Sequence, residues 1–517
     1  MIGSSVENRN TVGPGRWFSL VFVVSVWLLL RILFFEGLWG ADDLYHVNFA
    51  LHPDHLPTNH WETRLLYNGL LALSIRMFGF HQWVLALPGL LGSLAFTVAT
   101  WWAGRRILGE HAGLLAGLLA ATLAGDVTLS TNPSATSLAN GFAAAGTAAL
   151  LLAGQRSPVL VLAGVLLGWA VLAHPAMMLY VGVVSAATLV AAVPRLEWRA
   201  AAVVCVTAAV TFLVCDSGAF WWLSGNPLYS ESVILGKPDI YNISEFAEPL
   251  RLASGALNPR WLVWPFWNLL VSKAYGLCIG VPLLAALLSW RHLGTRLRLA
   301  TLTVLAYWAW ICYGSQVPFR YVPLDHDTRY WYPAVLPALL LAAAAVYRVS
   351  TTRNRLILGA LLLVPNCLLL LAAGTWGQNV QISRELLNYA RAHPGEFFVT
   401  DGHSYNEMYV LLGGRPPENV GLIGDAPTTF YQPDARMRRA ADDPALMVLF
   451  NPLQEGRTGF DDFRAQISRL PRRDLTETRY RLIAYLLPAG IRAQYRFLLR
   501  KPPAQLAVSS TFATWPP

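Results

Sequence analysis

Charge is scarce in this sequence. Only 13% of its 517 residues are Asp, Glu, Lys or Arg, about half the share of a soluble domain, which excludes water as the main solvent for most of the chain. Cysteine is scarcer still. Cys205, Cys215, Cys278, Cys312 and Cys367 all fall inside or at the edge of apolar runs. None has the spacing of a zinc site or a redox pair, so they read as buried free thiols, and a disulfide framework is excluded. No internal repeat and no low-complexity tract is present. What abounds is apolar surface: 55% of residues are hydrophobic, with 20 Trp, 19 Tyr and 22 Phe, and the mean hydropathy is +0.42. The formal charge of +9 does not point to nucleic acid, because the basic residues form short clusters between apolar runs, as in cytoplasmic loops.

The first apolar run, 17–35, follows Arg9 and Arg16. It is long for a signal-peptide core and lacks a small-x-small cleavage site, which makes it an uncleaved first span. Runs long enough to cross a bilayer follow at about 83–103, 111–127, 135–153, 157–173, 177–193, 199–216, 264–288, 299–314, 332–347 and 355–373. The run 65–80 contains Asn68 and Arg76 and is assigned to the membrane surface. With that choice the basic clusters at 9/16, 105/106, 195/199, 291–298 and 347–355 share one side. The expectation is a polytopic α-helical membrane protein with about eleven transmembrane helices, a cytoplasmic N-terminus and an outer C-terminus. Residues 1–373 form its transmembrane domain, with outer loops at 36–82 and 217–263. Residues 374–517 mix helical pattern ("ISRELLNYARAH", "DDFRAQISRL") with strand-like pieces ("EFFVTDG", "ALMVLFNP"), the pattern of a small extracytoplasmic α/β domain.

Carboxylates are concentrated just after the first span. The stretch 36–70 holds Asp42, Asp43, Asp54 and Glu62 with His46, His52, His55 and His60. A carboxylate beside an apolar wall suits a general base that takes a hydroxyl proton. The same Asp before "LYHVNFAL" equally suits a helix N-cap, and both readings stand for Asp42 and Asp43. A divalent metal near Asp42, Asp43 and His46 is a further possibility, although no histidine pair has a zinc-motif spacing. Arg64, Lys237, Lys273, Arg320 and Arg329 fall near the outer face, against the positive-inside tendency. They either hold an anionic headgroup or anchor to lipid phosphates and local Asp residues. In the tail, Asp401, His403 and Glu407 have no nucleophile elbow and read as a structural loop after a strand.

The order of these features resembles the GT-C class of integral-membrane glycosyltransferases, in particular the glycosyltransferase family 39 and protein O-mannosyltransferase-like group and the related lipid A aminoarabinose transferase. The resemblance runs from Trp17 to about Tyr347. It rests on the acidic pair after the first span, on "WETRLLYNGLLALSIRMFGFHQW", on "WWAGRRILGEHAGLLAGLLA", on "GNPLYS" and on "RYWYPAVLPALLLAAAAV". It implies transfer of a sugar from a polyprenyl-phosphate donor to a lipid, glycan or protein acceptor outside the bacterial inner membrane, by inverting single displacement. Carried onto this sequence, the family's acidic pair is Asp42 and Asp43, with Asp-Asp in place of the commoner Asp-Glu. The aromatic-Glu signature is Trp61-Glu62-Thr63-Arg64, where Thr63 replaces a Lys or His that faces the donor phosphate and Arg64 stands in one position later. The late Arg-Tyr signature is Arg329 and Tyr330, with Pro333 and Pro337. Asp42 and Asp43 are thus the implied catalytic residues, and Glu62, Arg64, Lys237, Arg329 and Tyr330 the substrate-binding ones. The rivals are a transporter or flippase of lipid-linked sugars, which paired inverted repeats and mid-membrane charges would favour, and an O-antigen ligase or polymerase, with its key residues in a later outer loop.

Overall fold

The computed structural model describes residues 15–40, 42–153, 156–192, 198–235, 278–314, 328–373, 378–423, 438–439, 447–452, 472–476, 479–480, 500–501 and 503–508. Through residue 373 they are helical: α1 Gly15–Leu33, α2 Asp42–Leu51, α3 Leu65–Phe78, α4 Gln82–Leu108, α5 Glu110–Ala121, α6 Ala124–Ser130, α7 Ala135–Ala153, α8 Ser157–Ala173, α9 Met177–Ala192, α10 Trp198–Ser224, α11 Tyr229–Leu235, α12 Gly280–Leu288, α13 Thr295–Tyr313, a 3-10 turn Thr328–Ala334, α14 Val335–Arg348 and α15 Thr352–Ala373. Every expected span within the described residues is helical over most of its length. The span 264–288 is described only from residue 278.

Among the described residues five helices, Gln82–Leu108, Ala135–Ala153, Trp198–Ser224, Tyr330–Arg348 and Thr352–Leu371, are long and apolar enough to cross a membrane. The expected span 111–127 is instead two helices, α5 and α6, bent by 54° at Thr122 and Leu123. Together they make up to six such spans; α1, α8 and α9 are shorter apolar helices. The protein is a multi-pass membrane protein.

Lipid as solvent turns the usual pattern inside out. On α1 the buried stripe at every fourth position is Ser19, Val23, Trp27 and Arg31, while Trp17, Phe18, Leu28, Leu29 and Ile32 are exposed. With no water to drive apolar surfaces together, helices associate through close backbone approach and polar contacts. α4 and α7 show both. A Cβ on Gly141 would lie 2.3 Å from the Gly92 carbonyl oxygen, and one on Gly92 would lie 2.4 Å from the Leu138 Cα. Nearby, the Ser137 hydroxyl donates to the Gly89 carbonyl at 3.0 Å. α7 and α14 form the buried centre, and α10 and α15 face outward along most of their length.

After residue 377 come α16 Gln378–Ala392, β1 Phe398–Thr400, α17 Gly402–Leu411, β2 Val420–Ile423, β3 Arg438–Arg439, β4 Met447–Phe450, β5 Arg472–Asp474, β6 Arg479–Tyr480, β7 Arg500–Lys501 and β8 Gln505–Val508. Six strands form one sheet in the order β3-β2-β1-β4-β8-β5, and β6 pairs with β7. β3, β2, β1 and β4 are parallel, whereas β8 and β5 run antiparallel to their neighbours. β1 and β4 are buried at every position, which is why "MVLF" reads as an unbroken apolar piece and "FVT" departs from one only at Thr400, whose hydroxyl donates to the Leu449 carbonyl at 2.8 Å. α17 is the crossover between β1 and its parallel neighbour β2. "DDFRAQISRL" lies outside the described residues.

Candidate active site

The site is assembled on one face of the helical part. The turn after α1 meets the end of α6 through Gly37 N–H to Thr131 O at 3.0 Å, and Leu38 N–H donates to Gln82 Oε1 at the start of α4, also at 3.0 Å. The segment after α10 reaches the same place: the Tyr229 hydroxyl donates to Pro57 O at 3.1 Å. Below this face lies a fully buried ion pair between Arg31 on α1 and Asp126 on α6. Arg31 also donates to Ser93 Oγ on α4 at 2.9 Å, and Ser93 Oγ donates to Asp126 Oδ2 at 2.6 Å. The guanidinium sits 5.2 Å from the Trp27 ring centroid. Removing one member of such a pair leaves a lone charge in a low-dielectric interior, so it pins three helices beneath the acidic turn.

Asp42 and Asp43 open α2, but they sit differently. Asp43 is buried, and its Oδ2 accepts from Trp39 N–H at 2.6 Å and Gly40 N–H at 3.3 Å. Its carboxylate therefore shapes the turn that precedes the helix. Asp42 is half-buried in the first turn, where the free amides of a helix N-terminus favour a negative charge. One helical turn on is the buried His46. Asn68 Nδ2 donates to the carbonyls of Trp61 at 3.0 Å and Glu62 at 2.9 Å, which leaves Asn68 Oδ1 to accept from His46 Nδ1 at 2.8 Å. The proton is thereby placed on Nδ1, and Nε2 accepts from Arg64 Nη1 at 3.2 Å. Burial and the Arg64 charge push the imidazole down to about 3, so His46 is neutral.

Both ring nitrogens of His46 are engaged, one by a guanidinium. A divalent cation at His46 would have to displace Arg64 from Nε2. Among the described residues no group of three or more His, Cys, Asp or Glu is arranged to hold a metal.

Glu62 is buried, and its Oε2 accepts from Thr58 N–H at 2.7 Å and Thr58 Oγ1 at 3.0 Å. Its described contacts fold the loop before α3. Arg64, at the N-cap position of α3, is buried against His46. Thr63 donates to the His60 carbonyl at 3.0 Å. Aromatic rings wall the loop: Tyr45 stacks on Trp61 at 4.3 Å and His60 tilts against Trp61 at 3.9 Å. Behind His46 stands the fully buried Tyr67, its hydroxyl raised well above the usual range by burial and the Asp43 charge.

The structure thus brings Asp42, Asp43, His46, Glu62 and Arg64 into one cluster. Tyr330 lines a small cavity with Thr136, His174, Ala176, Met177, Tyr307 and Pro333, and its carbonyl accepts from the Tyr307 hydroxyl at 2.7 Å. Arg329 lies in the 3-10 turn, with its side chain outside the described residues. Lys237, Lys273 and Arg320 lie outside them altogether. Asn68, Gly40, Arg31 and Asp126 were missed from the sequence as site residues. Arg31 inside the first apolar run and Asp126 in the third were the available signal: opposite charges in two spans need each other.

A family model described as dolichyl-phosphate-mannose-protein mannosyltransferase matches residues 65–222, from the start of α3 through most of α10. The structure of ArnT from Cupriavidus metallidurans bound to undecaprenyl phosphate superimposes with a TM-score of 0.56 at 14% identity, covering 96% of this chain and 99% of that one. The chain has the GT-C fold. The apo form of the same ArnT gives a TM-score of 0.55 at 13% identity over the same shares. An Archaeoglobus fulgidus oligosaccharyltransferase in complex with Zn and sulfate gives 0.50 at 14% identity, covering 78% of this chain and 62% of that one. No curated protein matches the chain by sequence. The expected GT-C resemblance is met, both by the mannosyltransferase model and by a fold shared along almost the whole chain.

Proposed function

We propose that this protein is a glycosyltransferase that moves a sugar from a polyprenyl-phosphate carrier to a lipid, glycan or protein acceptor on the extracytoplasmic face of a bacterial inner membrane. The observation that carries the reading is the coincidence of two matches. The mannosyltransferase model begins at Leu65, next to Arg64, and the fold along 96% of the chain is that of ArnT, crystallised with undecaprenyl phosphate. Residues 1–373 are the catalytic part and residues 374–517 an extracytoplasmic unit.

In this reading Asp42 accepts the proton of the acceptor hydroxyl as its oxygen attacks the anomeric carbon. The bond from that carbon to the phosphate oxygen breaks, the configuration inverts, and polyprenyl phosphate leaves with the bonding pair. Arg64 and Arg329, with Lys237, meet the leaving group's charge through charge-assisted hydrogen bonds. Asp43 holds the turn that aims Asp42. Neutral His46 keeps Arg64 in place without adding positive charge of its own. Glu62 and Tyr330 shape the pocket for the sugar.

The test is transfer from a panel of radiolabelled polyprenyl-phosphate sugars by the purified protein in lipid nanodiscs. Labelled acceptor and released polyprenyl phosphate in equal amounts support the reading. Release of neither from any donor, by protein shown to be folded, contradicts it.

A further inference from the structure

α17 lies more than 350 residues after α2 in the sequence, yet it grips α2 beyond both ends. At one end, His403 Nε2 lies 2.8 Å from the Gly40 carbonyl oxygen. A carbonyl only accepts, so Nε2 carries the proton and donates it. The same nitrogen is 3.1 Å from Glu407 Oε1, one helical turn along. At the other end, the Tyr409 hydroxyl is hydrogen-bonded to His52 Nε2 at 2.9 Å. The two segments approach closely only because glycines stand at both contacts. A Cβ on Gly40, whose φ is +83°, would lie 2.1 Å from Glu407 Oε1 and 2.8 Å from Val380 Cγ2; one on Gly414, at φ +81°, would lie 2.6 Å from His52 Nε2. Asp401 caps α17 by accepting from Ser404 N–H at 2.8 Å, and Ser383 on α16 donates to the buried Glu407, whose carboxyl burial pushes up.

Gly40 is the residue through which this grip reaches the acidic pair. Its carbonyl accepts from His403, and its N–H donates to Asp43 Oδ2. We infer that His403 is a positioning residue: it fixes the peptide that leads into α2 and, with Tyr409, sets the angle at which Asp42 is presented. The role assigned to Asp42 rests on the glycosyltransferase reading; the bracket around α2 does not. On this inference residues after 377 are part of the catalytic architecture, not an appendage to it.

The experiment compares His403→Ala, His403→Gln and wild-type protein in lipid nanodiscs, in two arms. Gln can place an amide N–H where Nε2–H was. In the transfer arm His403→Ala should lower kcat about 10-fold, the weight of one hydrogen bond. Its KM for the donor should stay within about twofold, and His403→Gln should regain most of kcat. In the second arm, hydrogen exchange of the backbone amides of Trp39 and Gly40 should quicken in His403→Ala and return towards wild type in His403→Gln. Wild-type protein inactive with every donor would overturn the glycosyltransferase reading, while the exchange arm would still judge the bracket. Exchange of Trp39 and Gly40 unchanged in His403→Ala, or changed equally in Ala and Gln variants, would overturn the positioning role of His403.

Discussion

At neutral pH His46 carries no charge, a state built in by burial and by the Arg64 charge at Nε2, which outweigh the opposing pull of the Asn68 hydrogen bond at Nδ1. Its folded value of about 3 lies below the ordinary 6.5. Above pH 6.5 both folded and unfolded forms are neutral, so the residue adds no pH dependence. Between 6.5 and about 3 the unfolded chain binds a proton that the folded chain refuses, and stability falls as pH falls, by up to ~1.4 kcal/mol per pH unit. Melting temperatures of wild type and His46→Gln between pH 7.5 and 5 check this. The wild type should lose stability more steeply on acidification. Parallel slopes would show that His46 is protonated in the folded state.

At the scale of elements, the helical part is held together by glycine contacts and a buried charge pair. Gly141→Ala would drive a Cβ to within 2.3 Å of the Gly92 carbonyl oxygen, which is backbone and cannot swing away. It should cost about 1–3 kcal/mol. Gly182→Ala on α9 meets nothing within 4 Å and should be neutral or stabilising by up to about 1 kcal/mol. Thermal unfolding in one detergent compares the two directly, and equal effects would contradict the packing argument. Arg31→Ala, which strands Asp126 in the interior, should cost about 3–5 kcal/mol; a fall in melting temperature no greater than that of an exposed substitution such as Leu29→Ala would contradict it. The apolar helices were legible in the sequence because apolar runs of near-bilayer length have few alternatives, and Asp42, Asp43, Glu62 and Arg64 stood out as polar exceptions beside them. The bend between α5 and α6 was not legible, since "GLLAGLLAATLAGDV" carries no proline to announce a break. Nor was the different duty of the two aspartates: Asp43 is bound to Trp39 and Gly40 by a turn whose geometry depends on the tail, a contact that sequence neighbours cannot foretell.

For the whole molecule, contacts converge on the segment between α1 and α3, which is touched both by the segment after α10 and by the tail helix α17. Arg348 donates to the His292 carbonyl at 3.1 Å, which brings the basic clusters 291–298 and 347–355 into contact. Fusions to alkaline phosphatase and to green fluorescent protein at the C-terminus read the sidedness. The expected outcome is an active phosphatase and a dark fluorescent fusion; the reverse would invert the membrane orientation and place the acidic pair on the wrong side for the proposed donor.

The central claim is that Asp42 takes the acceptor proton while Asp43 shapes its turn, and kcat of Asp42→Asn in the transfer assay tests it most directly. Asn retains the size and the capping ability of Asp but does not take up a proton. The expected result is a fall in kcat of about 10²–10⁴ with donor binding little changed. Product formed by Asp42→Asn at the wild-type rate would contradict the account and leave the acidic pair a structural feature of α2.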